Sequence, residues 1–468
     1  MSNDADLPWM TVVELAAALR QGEVTSRQLT EGALTRCDAP GRRLNCIVTV
    51  TTELALRQAD QADRELATGH DRGPLHGIPY GVKDLLATRG YATSWGAAPF
   101  RDREIDEDAF VIEQLRAAGA VLVAKLAMVE IAGGLGYEQA NASFTGPGLN
   151  PWDESRWSGG SSSGPGSAVG GGVVPFAIGS ETWGSILTPC CLCGVTGLRP
   201  TYGRVSRRGA MALSWTMDKL GPLARSADDC ALVMRAIAVH DPADASCVNR
   251  VWTPPEEEAP PRRWRVATLK GALERTDPEV AAAYLEAIEV LREFCDFEET
   301  SLPEGLPYNT VADVIISAEA AAAFEELVID GTIEQMTAEE DRWKIWSDLM
   351  IPATDYIRAL RVRGRIQQEL ASWLQPFDGV LAPAMNTVAG PVDRPFHEWA
   401  RGFSSTQLSG ASNVAGLPAL GLPCGFGAGG LPVGLQLVGR AFDEATLLEI
   451  GQRYQSRTDW HRRRPLES

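Results

Sequence analysis

The chain has 468 residues, 44% of them hydrophobic, so it can bury a large core in one big domain or in several ordinary ones. Acidic residues outnumber basic ones by 61 to 43, and the formal net charge of −18 disfavours nucleic acid and anionic membranes as partners. Nine irregularly spaced cysteines argue against a disulfide framework and favour a reducing compartment. Because no signal-like or membrane-spanning apolar run is evident, we expect a cytoplasmic protein.

The first part of the chain, residues 1–69, is predicted to form helices that wrap the outside of the core. Helical periodicity covers residues 11–37 and 51–68. Thr25 and Ser26 provide a plausible helix cap within the first of these segments.

Apolar runs and glycine turns alternate through residues 70–225, with a helix predicted at 106–118, and this pattern is typical of mixed α/β architecture. Prolines and glutamates at 253–263 indicate a surface connector. An amphipathic helix is predicted at 277–294, with a proline in its first turn. Residues 311–374 are predicted to be largely helical.

The most informative segment is Gly159–Arg199, which is rich in glycine and serine but too apolar to be a flexible linker. Its large apolar residues have the spacing of buried strand and turn: Val173, Val174, Phe176, Ile178 and Ile186. Glycine turns inside a packed segment can aim backbone N–H groups at a common point. With serines at 161–163 and at Ser185, the segment predicts a nucleophile and an oxyanion hole.

Rival motifs are absent from this segment. It contains neither lysine nor a GxxxxGK[ST] sequence, which disfavours a phosphate-binding loop, and Ser185 lies outside any GxSxG elbow. The three cysteines at 190, 191 and 193 lack a second pair of metal ligands. We therefore expect them to be small buried residues that bind no metal. None of the five histidines lies in the segment, and His76 in LHGIP is expected to be a turn residue.

A different base is available in HGIPYGVKD, where Lys83 follows an apolar, strand-like run. A lysine ordinarily titrates near ~10.4, but burial can lower its pKa by several units and make it a base at neutral pH. Taken alone, a lysine at this position favours an ordinary surface charge over a catalytic base.

Several motifs together resemble the amidase signature family. They are GIPYGVKD, NPWDESR, GGSS followed by GSETWGSI, CGVTGLRPTYGRVS, FDGVLAPAM, NVAGLPALGLPCGF and GLPVGLQLVGR, and their order extends over nearly the whole chain. The resemblance implies one α/β domain, residues 1–468, folded as an α/β/α sandwich with a large mixed β-sheet core flanked by helices. Residues 70–225 and 376–468 would form the catalytic core. Residues 311–374 match no family motif, and we interpret them as a variable region on the substrate side.

The resemblance also implies a Ser–Ser–Lys triad: Ser185 as nucleophile, Ser161 as a bridging serine after a cis peptide bond, and Lys83 as the base. Ser162 would help to hold the lysine. The oxyanion would be bound by backbone N–H groups of the turn that leads into the nucleophile: Thr182, Trp183, Gly184 and Ser185. Beyond the triad, we expect Gly134, Leu135 and Trp183 to contact the substrate.

The chain departs from the family pattern beside the nucleophile. Trp183 occupies a position where the family usually has glycine, and Leu187 one where arginine is common. Ser163 and Pro165 replace a glycine and a serine. Because only glycine is free to adopt unusual backbone angles, Trp183 must have an ordinary conformation or be strained. Its indole is predicted either to contact the substrate or to pack into the core.

These observations predict an amidase that hydrolyses an amide or amide-like C–N bond, such as a carbamate or anilide, through an acyl-enzyme and without cofactor or metal. Urethane hydrolysis falls within this class. We expect a small-molecule substrate, no nucleic-acid or membrane partner, and a monomer or homodimer. The alternatives are the A-type component of a glutamyl-tRNA amidotransferase, which supplies ammonia from glutamine, and a non-catalytic binding scaffold. Four residues of the helical region are either candidates for a substrate lid or ordinary helix-packing residues at i, i+3 spacing: Trp343, Trp346, Met350 and Tyr356.

Overall fold

The structure, a computed structural model, describes residues 6–255, 262–400 and 405–465. The strands that build its core lie at Ile47–Val50 (β1), Pro79–Lys83 (β2), Val121–Leu126 (β3), Leu149–Asn150 (β4), Asp153–Trp157 (β5), Phe176–Glu181 (β6), Thr196–Arg199 (β7), Lys219–Ala224 (β8), Trp264–Leu269 (β9), Cys295–Thr300 (β10), Gly379–Pro383 (β11), Ala419–Phe426 (β12) and Pro432–Val438 (β13).

Eleven of these strands form one twisted sheet in the order β1-β3-β2-β6-β8-β7-β12-β13-β11-β9-β10, while β4 and β5 form a separate hairpin. The sheet is mixed: β2 runs parallel to β3 and β6, β9 runs parallel to β10 and β11, and the remaining pairs are antiparallel. Because β2 and β6 are parallel neighbours, their carboxyl ends meet at the same edge of the sheet. That edge carries the candidate site.

Helices flank the sheet. Within the described residues they are Val12–Arg20 (α1), Ser26–Arg36 (α2), Thr52–Ala67 (α3), Phe110–Ala117 (α4), Ser163–Gly170 (α5), Leu187–Cys193 (α6), Ala227–Ile237 (α7), Pro278–Leu291 (α8), Tyr308–Ile329 (α9), Glu339–Asp348 (α10), Ala353–Leu374 (α11), Phe396–Trp399 (α12), Leu408–Ala415 (α13) and Glu444–Gln455 (α14). None of these helices is long and apolar enough to cross a membrane.

The sheet is covered by helices on both faces, as the residues of β3 demonstrate. Val121 and Val123 belong to a buried cluster that includes Ala168 of α5, whereas Leu122 belongs to a different cluster that includes Val233 of α7. Alternate side chains of a strand point to opposite faces. The expected α/β class, with a large mixed sheet between helices, is therefore confirmed.

Most of the predicted helices are present, with shifted boundaries. The segment 11–37 is two helices instead of one, because Gly22 adopts a left-handed conformation (φ 70°) between α1 and α2. Thr25 caps α2 in a capping box with Gln28, as expected for this pair of residue types. The helix predicted at 106–118 begins only at Phe110.

In the second half of the chain, α8 begins at Pro278, in agreement with the proline expected in the first turn. The largely helical character of residues 311–374 is confirmed by α9, α10 and α11. Most of the predicted connector at 253–263 lies outside the described residues.

The segment Gly159–Arg199 is packed, as expected, and its apolar residues form strand and turn as predicted, since Phe176 and Ile178 lie in β6 and Ile186 lies in a turn. Two further stretches of the segment, for which the sequence analysis predicted no helix, are α5 and α6. Glycine makes this possible because it lets a helix approach its neighbours closely. A Cβ atom on Gly164 would lie 2.5 Å from the backbone N of Ala127, and one on Gly166 would lie 2.7 Å from Cβ of Pro189. The small residues of α5 therefore pack against β3 and α6.

Candidate active site

Three backbone segments meet at the carboxyl edge of β2 and β6. Lys83 is the last residue of β2, Ser161 lies in the turn just before α5, and Ser185 lies in the turn between β6 and α6. The turns around the two serines are joined by a hydrogen bond from Ser162 N to Ser185 O (3.2 Å). The strand-turn-helix connections place side chains at the sheet edge while their backbones remain in the core.

Lys83 is completely buried, and its amine faces hydroxyl groups. Nζ lies 2.8 Å from Ser161 Oγ and 2.9 Å from Ser180 Oγ, and no carboxylate of the described residues forms an ion pair with it. Burial lowers the pKa of Lys83 to about 7, and the charges of Asp218 and Glu181 oppose that shift only partly. A lysine in this environment is neutral in a substantial fraction of molecules at neutral pH.

The turn that carries Ser161 depends on two glycines. Gly159 is left-handed (φ 87°), and a Cβ on Gly160 would lie 2.8 Å from the hydroxyl of Tyr137. The peptide bond between Gly160 and Ser161 is cis. Ser161 O accepts a hydrogen bond from Val129 N (3.1 Å), which ties this turn to the end of β3.

The turn from Thr182 to Ser185 presents a row of backbone donors. The N–H groups of Thr182, Trp183, Gly184 and Ser185 have no hydrogen-bond partner among the described residues. Gly184 is left-handed (φ 84°), which only glycine adopts readily. The Ser185 side chain is 8% exposed, and no hydrogen bond within the described part of the chain engages its hydroxyl. Unpaired donors beside a free hydroxyl are the arrangement that an oxyanion hole requires.

Ser162 was expected to hold the lysine, but the structure places another residue in between. The Ser162 hydroxyl donates to Ser180 O (3.1 Å) and accepts from Ser180 N (3.3 Å). Ser180 in turn contacts Lys83 through its own hydroxyl. Ser162 is therefore one residue removed from the amine.

On the other face of β6, Glu181 supports the backbone that follows Ser185. One carboxylate oxygen accepts from Ile186 N (2.8 Å) and Leu187 N (3.1 Å), and the other accepts from Arg199 Nη1 (2.7 Å). Burial alone would raise the pKa of Glu181, but the charges of Arg199 and Lys219 outweigh it and lower the pKa to about 2. An ionised Glu181 thus fixes the start of α6.

Trp183 has an ordinary backbone conformation, since its φ is not positive. Its indole Nε1 donates to Ser409 Oγ (3.1 Å), and the ring packs against a buried cluster that includes Leu408 of α13 and Val311 of α9. The side chain is half-buried there. The indole therefore lies against the helices, while its backbone N–H belongs to the row of free donors.

A cavity of about 280 Å³ adjoins this centre and reaches it at Ser180 and Thr182. Polar and charged side chains in its lining include Arg207, Asp218 and Asp244. The expected substrate contacts Gly134 and Leu135 are not part of this lining. Leu135 is fully buried in the core, and a Cβ on Gly134 would collide with the Leu213 side chain. Their neighbours Ala132 and Leu213 line the cavity instead.

His76 lies apart from these residues, in the turn before β2, as expected, and is buried there. Its Nδ1 accepts from Arg72 N (3.1 Å), and its Nε2 lies 3.2 Å from Glu65 Oε2. Within the described residues, no hydrogen bond joins a histidine to Lys83, Ser161 or Ser185. The cavity lining also does not include the lid candidates Trp343, Trp346, Met350 and Tyr356. The first three are 64%, 50% and 78% exposed, and the Tyr356 hydroxyl donates to Glu319 (2.7 Å).

Comparison with known proteins identifies the family. The family model described as Amidase matches residues 28–448. This chain belongs to the amidase family. It is 38% identical over 496 residues to the A subunit of glutamyl-tRNA(Gln) amidotransferase from Roseiflexus sp. (strain RS-1), covering 97% of this chain and 98% of the relative. The same-named protein of Chloroflexus aggregans is also 38% identical, with 98% and 99% covered.

Solved structures lead to the same conclusion. A chain from a vestigial protein complex described in connection with an s-triazine catabolic enzyme superimposes on this amidase-family protein with a TM-score of 0.87 at 29% identity, covering 96% of this chain and 98% of that one. The peptide amidase of Stenotrophomonas maltophilia gives a TM-score of 0.82 at 30% identity, with 96% and 97% covered.

Sequence reasoning missed part of the amidase-family site. Ser180 contacts Lys83 directly. The clue in the sequence was its position in GSETWGS, immediately before Glu181. Lys219 and Asn413 contact each other (2.8 Å) beside the turn from Thr182 to Ser185. The signal for Lys219 was a charged pair, Asp218 and Lys219, at the start of an otherwise apolar strand.

Proposed function

We propose that this chain hydrolyses an amide or amide-like C–N bond through an acyl-enzyme on Ser185, with Ser161 as the proton relay and Lys83 as the base. The observation that carries the proposal is the buried Lys83 amine, which lies 2.8 Å from Ser161 Oγ and has no carboxylate partner among the described residues. A structural lysine is normally ion-paired when buried. An unpaired one beside a hydroxyl is suited to accept a proton.

In the first step, neutral Lys83 takes the Ser161 proton while Ser161 takes the Ser185 proton, and Ser185 Oγ attacks the substrate carbonyl. The carbonyl oxygen becomes negative and would be stabilised by the free N–H groups of the turn from Thr182 to Ser185. Since these donors already lack partners, little reorganisation would accompany the reaction. The absence of a Ser185–Ser161 hydrogen bond does not conflict with this step, because such contacts often tighten only once substrate binds.

In the second step, the same relay runs in reverse and the proton held by Lys83 passes through Ser161 to the leaving nitrogen. The C–N bond breaks and an ester to Ser185 remains. Water, deprotonated by the same route, then attacks the ester. As the acid leaves, the proton held by Lys83 returns through Ser161 to Ser185 Oγ. Each half-reaction returns Lys83 to its neutral form, so the cycle is balanced without a further proton carrier.

A second candidate, which the names of the curated relatives favour over a generic amidase, is glutamine as the amide donor within a glutamyl-tRNA amidotransferase. Relatives 38% identical over nearly the full chain carry the name of its A component. The cavity has charged groups of both signs, as the zwitterionic end of glutamine requires. Arg207 in its wall donates to the uncharged oxygens of Tyr202 (3.1 Å) and Ser246 (2.8 Å), and no described carboxylate forms an ion pair with it. In this case we expect partner proteins to supply tRNA binding.

One assay series distinguishes the candidates. A fluorophosphonate probe should label Ser185 in the purified chain, and a Ser185→Ala variant should remain unlabelled. Unlabelled enzyme from the same preparation is then tested with glutamine, anilides and aryl carbamates. Turnover of anilides or carbamates by the isolated chain supports the amidase, whereas glutamine turnover without the others supports the amidotransferase component. Absence of both labelling and turnover would support a non-catalytic scaffold and contradict the proposal.

A further inference from the structure

The turn Glu181–Leu187 is held from several sides, and one of its anchors is a second buried lysine. Lys219 begins β8 directly opposite Glu181 of β6 and is 2% exposed. Its Nζ donates to Thr182 O (3.2 Å) and to Asn413 Oδ1 (2.8 Å). Both acceptors are uncharged, although Glu181 lies directly across the strand pair.

Asn413 links this lysine to the rest of the network. Its amide accepts from Lys219 through Oδ1 and donates through Nδ2 to Glu181 Oε1 (3.2 Å). Asn413 is completely buried on α13, where Ser409 also bonds the Trp183 indole. Helix α13 therefore contacts Trp183 and Glu181 directly and reaches Thr182 through Lys219.

The direction of the Lys219 contact matters because of peptide geometry. In a trans peptide, C=O and N–H point in opposite directions. The Thr182 carbonyl points to Lys219, so the N–H of the same peptide, which belongs to Trp183, must point away from Lys219. That N–H has no partner among the described residues.

A charge role alone does not explain Lys219. Glu181 already has an ion pair with Arg199 at 2.7 Å, and no ion pair of 4.0 Å or less joins Glu181 to Lys219. Burial, with the charge of Arg199, lowers the pKa of Lys219 well below its usual range. Both atoms that Lys219 contacts, Thr182 O and Asn413 Oδ1, are hydrogen-bond acceptors. A neutral amine can donate to them as well as a charged one can.

We propose that Lys219 is a positioning residue that fixes the Thr182–Trp183 peptide so that the Trp183 N–H is aimed at the oxyanion. The inference rests on the proposed acyl-enzyme mechanism. The departure at position 183 makes the anchor more important. The Trp183 side chain is bonded to Ser409 of α13, and Lys219 separately fixes the carbonyl of the preceding residue, Thr182.

The test compares Lys219→Met with Lys219→Gln. Methionine is similar in length and apolar, so it removes the donor while filling the space, whereas glutamine keeps an N–H donor. All rates are divided by the concentration of sites that a fluorophosphonate titrates. We expect kcat of Lys219→Met to fall about 10²-fold, near the effect of losing one oxyanion donor, with KM changed by less than about threefold. Lys219→Gln should retain at least about tenfold more kcat than the methionine variant.

An aldehyde inhibitor that forms a tetrahedral adduct with Ser185 provides the second measurement. Its affinity should fall in Lys219→Met by nearly the same factor as kcat, because both depend on the oxyanion donors. A purely structural role would lower the melting temperature without changing kcat per titrated site. The matched control is Gln436→Met, which removes a buried polar group that bonds Pro383 O (3.1 Å) far along the sheet. It should leave kcat per site unchanged.

The outcomes separate the inference from the proposed function. A parent enzyme that neither reacts with the probe nor turns over an amide would overturn both. If the parent enzyme is reactive and the Lys219→Met variant matches it in kcat and in affinity for the aldehyde, the Lys219 inference alone is overturned. Equal losses in the methionine and glutamine variants would also contradict it, because the donor would then be irrelevant.

Discussion

Two buried lysines on neighbouring strands illustrate how the two faces of the sheet differ. Lys83 ends β2 and Lys125 lies near the end of β3, and both are 0% exposed. The parallel register pairs Val82 with Lys125 and Lys83 with Leu126, so the two amines project from opposite faces. Lys125 forms an ion pair with Asp84 (3.0 Å) and also bonds Thr93, whereas Lys83 contacts two serine hydroxyls.

Equal burial therefore leads to different roles. Burial lowers the pKa of both lysines, but Asp84 opposes the shift directly at Lys125. Lys83 lacks such a partner within the described residues, and its pKa falls to about 7. The partner, more than the depth of burial, decides whether a buried lysine serves the fold or the chemistry.

The largest expected effect is at the nucleophile. Ser185→Ala removes the hydroxyl of the proposed nucleophile beside the free N–H donors of the turn from Thr182 to Ser185, so we expect kcat to fall about 10⁴-fold or more. Circular dichroism should show an unchanged fold, since no hydrogen bond within the described residues uses this hydroxyl. Probe attachment to another serine in the parent enzyme would contradict the assignment.

On the face of the sheet that carries Lys83, Lys83→Met should lower kcat about 10³-fold, which is within the range of general acid–base catalysis. It should not reduce the free energy of unfolding, because it removes a buried amine that lacks a counter-charge. The measurement is kcat per folded molecule with the best amide substrate. His76→Ala is the control and should keep most of the activity, as His76 contacts Arg72 and Glu65 instead of the serines. The reverse pattern would mean a histidine mechanism.

On the opposite face, Lys125→Met should affect stability instead of catalysis. It leaves Asp84 buried and unpaired, so we expect the free energy of unfolding to fall by about 3–5 kcal/mol. Activity per folded molecule should fall far less than in Lys83→Met. A second change, Asp84→Asn, should recover part of the lost stability. If Lys125→Met matched Lys83→Met in kcat, the comparison between the faces would fail.

The smallest effect is expected at Trp183. The indole bonds Ser409 and packs against α13, so Trp183→Phe should lower kcat/KM by less than about tenfold, as for one ordinary hydrogen bond. Ser409→Ala removes the same bond from the other side and should behave alike. The loss should be parallel for aliphatic amides, anilides and carbamates. A changed ranking among them would show that the indole contacts the substrate.

The parts of the fold and the site that the sequence predicts correctly are those with local sequence signals. The family motifs fix the positions of Lys83, Ser161 and Ser185, and hydrophobic periodicity predicts long helices such as α8 and α11. Both signals are local in the chain. The helix α5 was missed because glycine and serine, which disfavour helices in isolation, are required there by close contact with β3 and α6.

The rest of the site depends on contacts distant in sequence. Ser180 and Ser162 look equivalent in the sequence, and only the structure distinguishes the one that contacts Lys83. Lys219 meets Asn413 across 194 positions of the chain, a pairing that no local pattern indicates. The sequence also left the orientation of the Trp183 indole undecided, because that orientation depends on contacts with α13.

The central claim, that a neutral Lys83 acts as the base, is tested most directly by the pH dependence of kcat/KM. Lys83 must be unprotonated to accept a proton, and its pKa is about 7. The rate should therefore rise tenfold per pH unit below about 7 and level off above it, and this inflection should be absent from the residual activity of Lys83→Met. An inflection that persists unchanged in Lys83→Met, or a parent profile that is flat through this range, would contradict the account.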